Sequence, residues 1–310
     1  MGDSNATMVT EFILVGMSNY PRAQMVMFVV FLIFYMATLF GNTLLIVLII
    51  LTPVLHTPMY FFLCNLSFLD MFYTTCSIPQ LLVNCFFRRP TISYTRCLTE
   101  MYVGLFLGIT ECFLLAVMAY DRFAAICNPL RYNVIMSWKV CFQLAAMSWA
   151  GAFVLTLIPS QFQPTQFCGH NIINHFTCEI QALLKLACSD TRKMEMVLMI
   201  NSVIDLAVPF SFILVTYGRI GQAVLRMHSA KGRGKAFSTC GSHLVVVSIF
   251  YGSAISMYLR PQGKTFSDHD KFVSLFYGVV TPMLNPLIYS LRNKDVKGAF
   301  WRLLGKKMSE

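Results

Sequence analysis

Asp121 and Arg122 stand side by side where a long apolar run, Val103 to Ala119, gives out. Charged side chains are costly inside a bilayer unless they face a cavity, a partner or the interface, so the pair marks a membrane boundary with a functional role. Asp70 and Glu111 are acids inside apolar runs of their own. With Asn42, Ser67, Asn285 and the Pro286 kink they point to a hydrated polar core, or to a protonated, hydrogen-bonded pair; neither reading is catalytic. His175, Cys178 and Glu179 form a His-x-x-Cys-Glu cluster whose imidazole, thiolate and carboxylate are good ligands for zinc or copper. Oxidation of Cys178 would instead leave His175 an ordinary polar loop residue.

The elements that must position these groups are membrane spans. With 56% hydrophobic, 14% aromatic and only 12% charged residues, the 310-residue chain holds about half the charge of a soluble domain. Apolar runs near 25–51, 58–82, 97–127, 138–160, 196–225, 236–259 and 271–291 are each long enough to cross a bilayer. The fold class expected is therefore an all-α bundle of seven transmembrane helices. An odd number puts the two ends on opposite sides, dividing the chain into a tail 1–24, a membrane domain 25–291 and a second tail 292–310. The first 24 residues lack a basic start, a short apolar run and a small-residue cleavage site, so no cleaved signal peptide is expected.

Orientation follows from the basic residues. With the N-terminus outside, 14 of the 24 basic residues, among them Arg219, Arg226, Lys231, Arg233 and Lys235, fall on the inner side against Asp121, Asp295 and Glu310. This is the bias of cytoplasmic loops, so the net charge of +10 is an orientation signal and gives no ground for nucleic-acid binding. Asn5-Ala6-Thr7 is an N-glycosylation triplet and agrees with an outside N-terminus.

Seven of the 11 cysteines lie in or beside apolar runs, where a small soft hydrophobe suffices. Cys97, Cys168, Cys178 and Cys188 fall on the outer side, and in an oxidising compartment permit three pairings. Three of them sit in a loop, Gln161 to Glu195, too long to be a passive connector.

Asp121-Arg122-Phe123, Asn285-Pro286-Leu287-Ile288-Tyr289 and Gly41-Asn42 resemble the pattern of rhodopsin-like G-protein-coupled receptors. More narrowly, the chain resembles an olfactory receptor. The stretches that carry this are Leu55 to Leu63 (LHTPMYFFL), Leu66 to Asp70 (LSFLD), Met118 to Leu130 (MAYDRFAAICNPL), Lys235 to Leu244 (KAFSTCGSHL) and Pro282 to Asn293 (PMLNPLIYSLRN). They occur in order across nearly the whole chain.

The resemblance implies disulfides Cys97–Cys178 and Cys168–Cys188, which would pin the long loop over the bundle as a lid and take the Cys178 thiolate from any metal. It implies a switch in which Asp121 holds Arg122 at rest and releases it toward Tyr217 and the G protein, with Tyr289 swinging inward and Asn285 and Pro286 part of the same switch. Phe123 replaces a more usual tyrosine there. It also implies a sodium site at Asp70 and Glu111, with no other cofactor required. The ligand pocket implied lies in the outer halves of spans three, five, six and seven: Gly104, Leu105, Gly108, Ile109, Asn201, Asp205, Tyr251, Ile255 and Tyr258. Spacings of three and four put the first four on one stripe. Gly104 stands where amine receptors carry aspartate, whereas Asp205 departs from the apolar or small residue expected and either meets a ligand or packs against a helix.

The partners expected are a small volatile odorant, a stimulatory G protein that raises cyclic AMP, and membrane lipid, in a plasma-membrane protein with an extracellular N-terminus. After the seventh span, Arg292 to Leu304 reads as an amphipathic helix on the inner leaflet, with Val296, Phe300, Trp301 and Leu304 entering the interface. Other classes fit less well. A non-olfactory chemoreceptor would share the fold; an ion-coupled transporter lacks the internal repeat and paired broken helices; and no nucleophile or metal set marks an enzyme.

Overall fold

The computed structural model describes residues 9–16, 21–87, 90–161, 167, 171–227, 229–258, 268–291 and 294–303. Asn5, Cys168 and Leu304 lie outside the described residues. Helices α1 (Pro21–Leu51), α2 (Pro58–Asn84), α3 (Tyr94–Cys127), α4 (Trp138–Ser160), α5 (Arg192–Leu225) and α6 (Ala230–Tyr258) are followed by α7, residues 268–291, and α8 (Lys294–Leu303). Six of the described helices are long and apolar enough to cross a membrane, and α7, opened by Asp268, Asp270 and Lys271, completes the seven-helix bundle.

Polarity is inverted as lipid demands. Ile33, Met36 and Phe40 of α1 are exposed while Thr38 and Asn42 on the same helix are buried, because only the bundle interior offers hydrogen-bond partners. Pro58 at the first turn of α2 supplies a pre-set φ where no N–H is needed, and the Ser93 hydroxyl accepts from the Arg96 N–H at 3.4 Å to start α3. Trp149 donates to Asn65 at 3.1 Å and joins α4 to α2. Gly41 is needed for close approach: a Cβ there would lie 3.1 Å from the Pro286 ring.

Two helices carry a wide π turn, Val203–Ala207 in α5 and Phe276–Val280 in α7. Each precedes a proline, Pro209 and Pro282, that has no N–H for the carbonyl four residues back. The widened turn absorbs the missing bond and rotates the residues around it, Asp205 and Tyr277 among them.

One end of the bundle is capped by a small sheet that the helical reading of the chain did not anticipate. Strand β1 (Glu11–Leu14) lies between β2 (Thr91–Ser93), paired antiparallel with Phe12 opposite Ile92, and β3 (Ile172–Ile173), paired parallel with Ile13 opposite Ile172. Residues Glu11–Leu14, within the segment read as a tail, therefore form the central strand of this cap. Phe12, Ile92, Leu183 and Leu184 form a separate apolar cluster around the Cys97–Cys178 disulfide. Cys188 is also disulfide-bonded.

Helix α8 packs differently from the expectation. Val296 and Ala299 are buried against the bundle and Phe300 packs beside them, so Val296 and Phe300 anchor the helix to protein, leaving Trp301 and Leu303 exposed.

Candidate functional site

Beneath the sheet, α3, α5, α6 and α7 enclose a cavity of about 840 Å³ of non-atom space, its open mouth included. Gly104, Leu105, Gly108 and Ile109 form its α3 wall, one stripe at helical spacing. The glycines make the room: no atom lies within 4 Å of where a Gly108 Cβ would sit. Asp205 and Leu206 close the α5 side, Phe250, Ala254 and Tyr258 the α6 side, and Tyr277 the α7 side. The roof is the long loop itself, through Thr177, Cys178, Glu179 and Ile180. Its place is set by the disulfide to Cys97 at the head of α3, with Cα atoms 5.3 Å apart.

Glu179 is the polar centre of that roof. Its Oε1 accepts from the Ser274 hydroxyl and from Tyr277 at 3.4 Å, and the His175 Nε2 stands 3.8 Å away. Tyr258 and Tyr277 share a hydrogen bond of 2.9 Å. The loop is therefore tied to α7 by side chains and to α3 by a covalent bond.

Three of the nine expected pocket residues lie elsewhere. Asn201 donates to the Leu155 carbonyl at 3.0 Å and packs α5 on α4. Tyr251 is fully buried, donating to the Cys112 carbonyl at 3.0 Å and lying against Phe210. Ile255 faces a groove between α5 and α6. Conversely, Tyr73, Glu100, Glu179 and Tyr277 line the cavity and were missed. Glu179 was visible only as a metal-ligand candidate, and nothing in helical spacing announces Tyr277, because the π turn shifts its face. The zinc or copper reading of the loop fails: Cys178 is oxidised, and the described residues hold no group of three His, Cys, Asp or Glu side chains fit for a metal.

Below the cavity lies the polar core. Asn285 donates through Nδ2 to both Asp70 oxygens, at 3.0 and 3.3 Å, and Asn42 donates to the Pro282 carbonyl at 3.1 Å. Glu111 Oε1, Asn42 Oδ1 and Asn285 Oδ1 are buried oxygens with no donor. A set of hard oxygen acceptors short of donors fits a small cation such as sodium.

The opposite end of the bundle holds the switch candidates, arranged otherwise than expected. No ion pair joins Asp121 to Arg122 among the described residues. The Asp121 Oδ1 accepts instead from Tyr132, at 2.7 Å, in a one-turn helix (Tyr132–Ile135) after α3. Burial, with Asp121 beside it, pushes the Tyr132 hydroxyl above its ordinary value and keeps it a donor. Arg122 makes no bond to Tyr217; its Nε is buried without a partner, within electrostatic reach of Tyr217, His243 and Tyr289. Tyr217 is bonded to His243 Nδ1 at 2.8 Å, and His243 Nε2 faces the Leu115 carbonyl at 3.1 Å. Nε2 therefore carries the proton and Nδ1 accepts, which ties α3, α5 and α6 through one imidazole.

A capped cavity at one end and a polar hinge at the other, in a seven-helix bundle, agree with what comparison with known proteins shows. The pattern of the olfactory receptor family matches residues 31–307. The chain belongs to the olfactory receptor family. It is 54% identical to human olfactory receptor 13H1 over 99% of this chain and 100% of the relative. Mouse olfactory receptor 2C1 is 52% identical over 98% of this chain and 97% of its own length, and human olfactory receptor 2K2 is 50% identical over 99% and 97%. As an olfactory receptor it is a multi-pass plasma-membrane protein that signals through G proteins in odorant sensing and is not an enzyme.

Proposed function

We propose that a small volatile odorant enters the capped cavity and shifts the bundle toward a state that binds a stimulatory G protein and raises cyclic AMP. The observation that carries the reading is the tertiary pairing of a roofed cavity with a bonded α3–α5–α6 end, in one continuous packed bundle. A ligand activates only by its differential affinity for the active arrangement. The Tyr132–Asp121 and Tyr217–His243 bonds are discrete contacts that exist or do not, so this end has separate arrangements to choose between. Arg122, whose Nε is buried beside them without an acceptor, is the group released to the G protein when they rearrange. The capped end, which carries the cavity, faces outside, in keeping with the basic bias of the opposite loops. Trp301 and Leu303 of α8 enter the lipid interface at the inner face.

Asp70 and Glu111 would hold sodium, with Asn42 and Asn285 supplying further oxygens. The ion would favour the resting arrangement by joining α2 to α3.

The experiment is cyclic AMP accumulation in cells carrying the full chain and an olfactory-type G protein, across a chemically diverse odorant panel. A response that disappears in Arg122→Ala at equal surface expression supports the reading. Silence to every compound despite confirmed surface expression sinks it.

A further inference from the structure

We propose that the cavity selects ligands carrying a protonated amine, seated between the carboxylates of Asp205 and Glu179. The proposal rests on the odorant-receptor reading above and names the ligand class for it. Glu100, Glu179 and Asp205 all line the cavity, whereas its described lining includes no Lys, Arg or His.

The acids alone would say little, but two of them are unfinished. Asp205 Oδ1 and Glu179 Oε2 are buried and accept no hydrogen bond, on residues only 6% and 8% exposed. Glu179 is half-used: its Oε1 takes Ser274 and Tyr277, and His175 approaches that same oxygen, while Oε2 is left over. Arg96, exposed one turn before Glu100, offsets that acid. A carboxylate oxygen shut away from water without a donor is unfavourable, and neither Asp205 Oδ1 nor Glu179 Oε2 has one.

An organic ammonium provides both the missing charge and several N–H donors. The rest of the lining suits it: Tyr73, Tyr258, Tyr277 and Phe250 offer aromatic surface to a cation and its alkyl body. An alcohol or ester of the same shape has at most one donor and no charge. Position matters too. Asp205 sits on the π turn of α5 and Glu179 in the roof, so a ligand bound to both links the loop to a transmembrane helix.

The test uses the full-length receptor with a surface epitope, and dose–response curves for linear and cyclic amines beside alcohols of matched shape. At least one amine is expected to act at a concentration roughly tenfold or more below its alcohol counterpart, the separation a charge-assisted bond gives. Asp205→Asn and Glu179→Gln, both near-isosteric, should each weaken that amine by about tenfold at equal surface expression, and more than they weaken its matched alcohol. Thermal stabilisation of purified receptor by the same amines checks the ranking without signalling, and either variant serves if the other fails to reach the surface. Amines no better than their alcohols, or amine potency unchanged in the variants, overturns the assignment. A neutral-odorant response abolished by Arg122→Ala would then show that the receptor reading survives without it; a receptor silent to every compound and stabilised by none overturns both.

Discussion

Replacing Tyr132 with Phe removes one hydroxyl and leaves the ring, so its effect isolates the hydrogen bond to Asp121. That carboxylate belongs to a residue 1% exposed, with Oδ1 2.7 Å from the tyrosine and Oδ2 without a partner. Hydrogen bonds to charged groups contribute about 1.5–3 kcal/mol, and Tyr132 is the side-chain donor bonded to this carboxylate. About 2 kcal/mol is expected, a factor of roughly 30 in the balance between arrangements that keep the bond and those that do not. In thermal unfolding followed by a thiol-reactive dye, this corresponds to a loss of roughly 4 °C. The buried free thiols of Cys112 and Cys141 report the transition. The double variant with Asp121→Asn decides whether the two residues act on each other, since contacting partners are not additive. If Tyr132→Phe unfolds within error of the parent, or its effect adds fully to that of Asp121→Asn, the bond contributes nothing and the reasoning fails.

Three further outcomes follow from the same geometry. His243→Phe strips the Tyr217 hydroxyl and the Leu115 carbonyl of their partner; a stability loss of about 2 kcal/mol with raised ligand-free cyclic AMP is expected, and an unchanged basal signal would refute the tie. Gly108→Leu places a side chain in open cavity space, so odorant responses should fall by about tenfold or more while thermal stability holds, read from dose–response and melting curves together. Sodium chloride, compared with choline chloride at equal ionic strength, should raise the melting temperature of the parent but not of Asp70→Asn; equal shifts in both would remove sodium from the polar core.

Seven spans, the polar core and the family motifs were legible because each is local. A run of apolar residues long enough to cross a bilayer, or an Asp-Arg pair at its end, needs no partner to be recognised. The α3 wall of the cavity was legible for the same reason, since helical spacing alone puts residues 104, 105, 108 and 109 on one stripe. Where the reading relied on a regular helix it slipped: within the π turn of α7, Tyr277 went unnoticed.

The amino-acid sequence by itself determined the bundle, its membrane boundaries and the residue types available at each end, because burial in lipid leaves the backbone few alternatives. Only the tertiary structure decided who pairs with whom. Asp121 passes over its neighbour Arg122 for Tyr132, Tyr217 meets His243, strand β1 lies between β2 and β3, and Glu179 comes down over the cavity to meet Ser274. These contacts link residues from 11 to more than 150 positions apart. Their selection depends on which side chains the packed helices bring within hydrogen-bond reach, and no local periodicity encodes that.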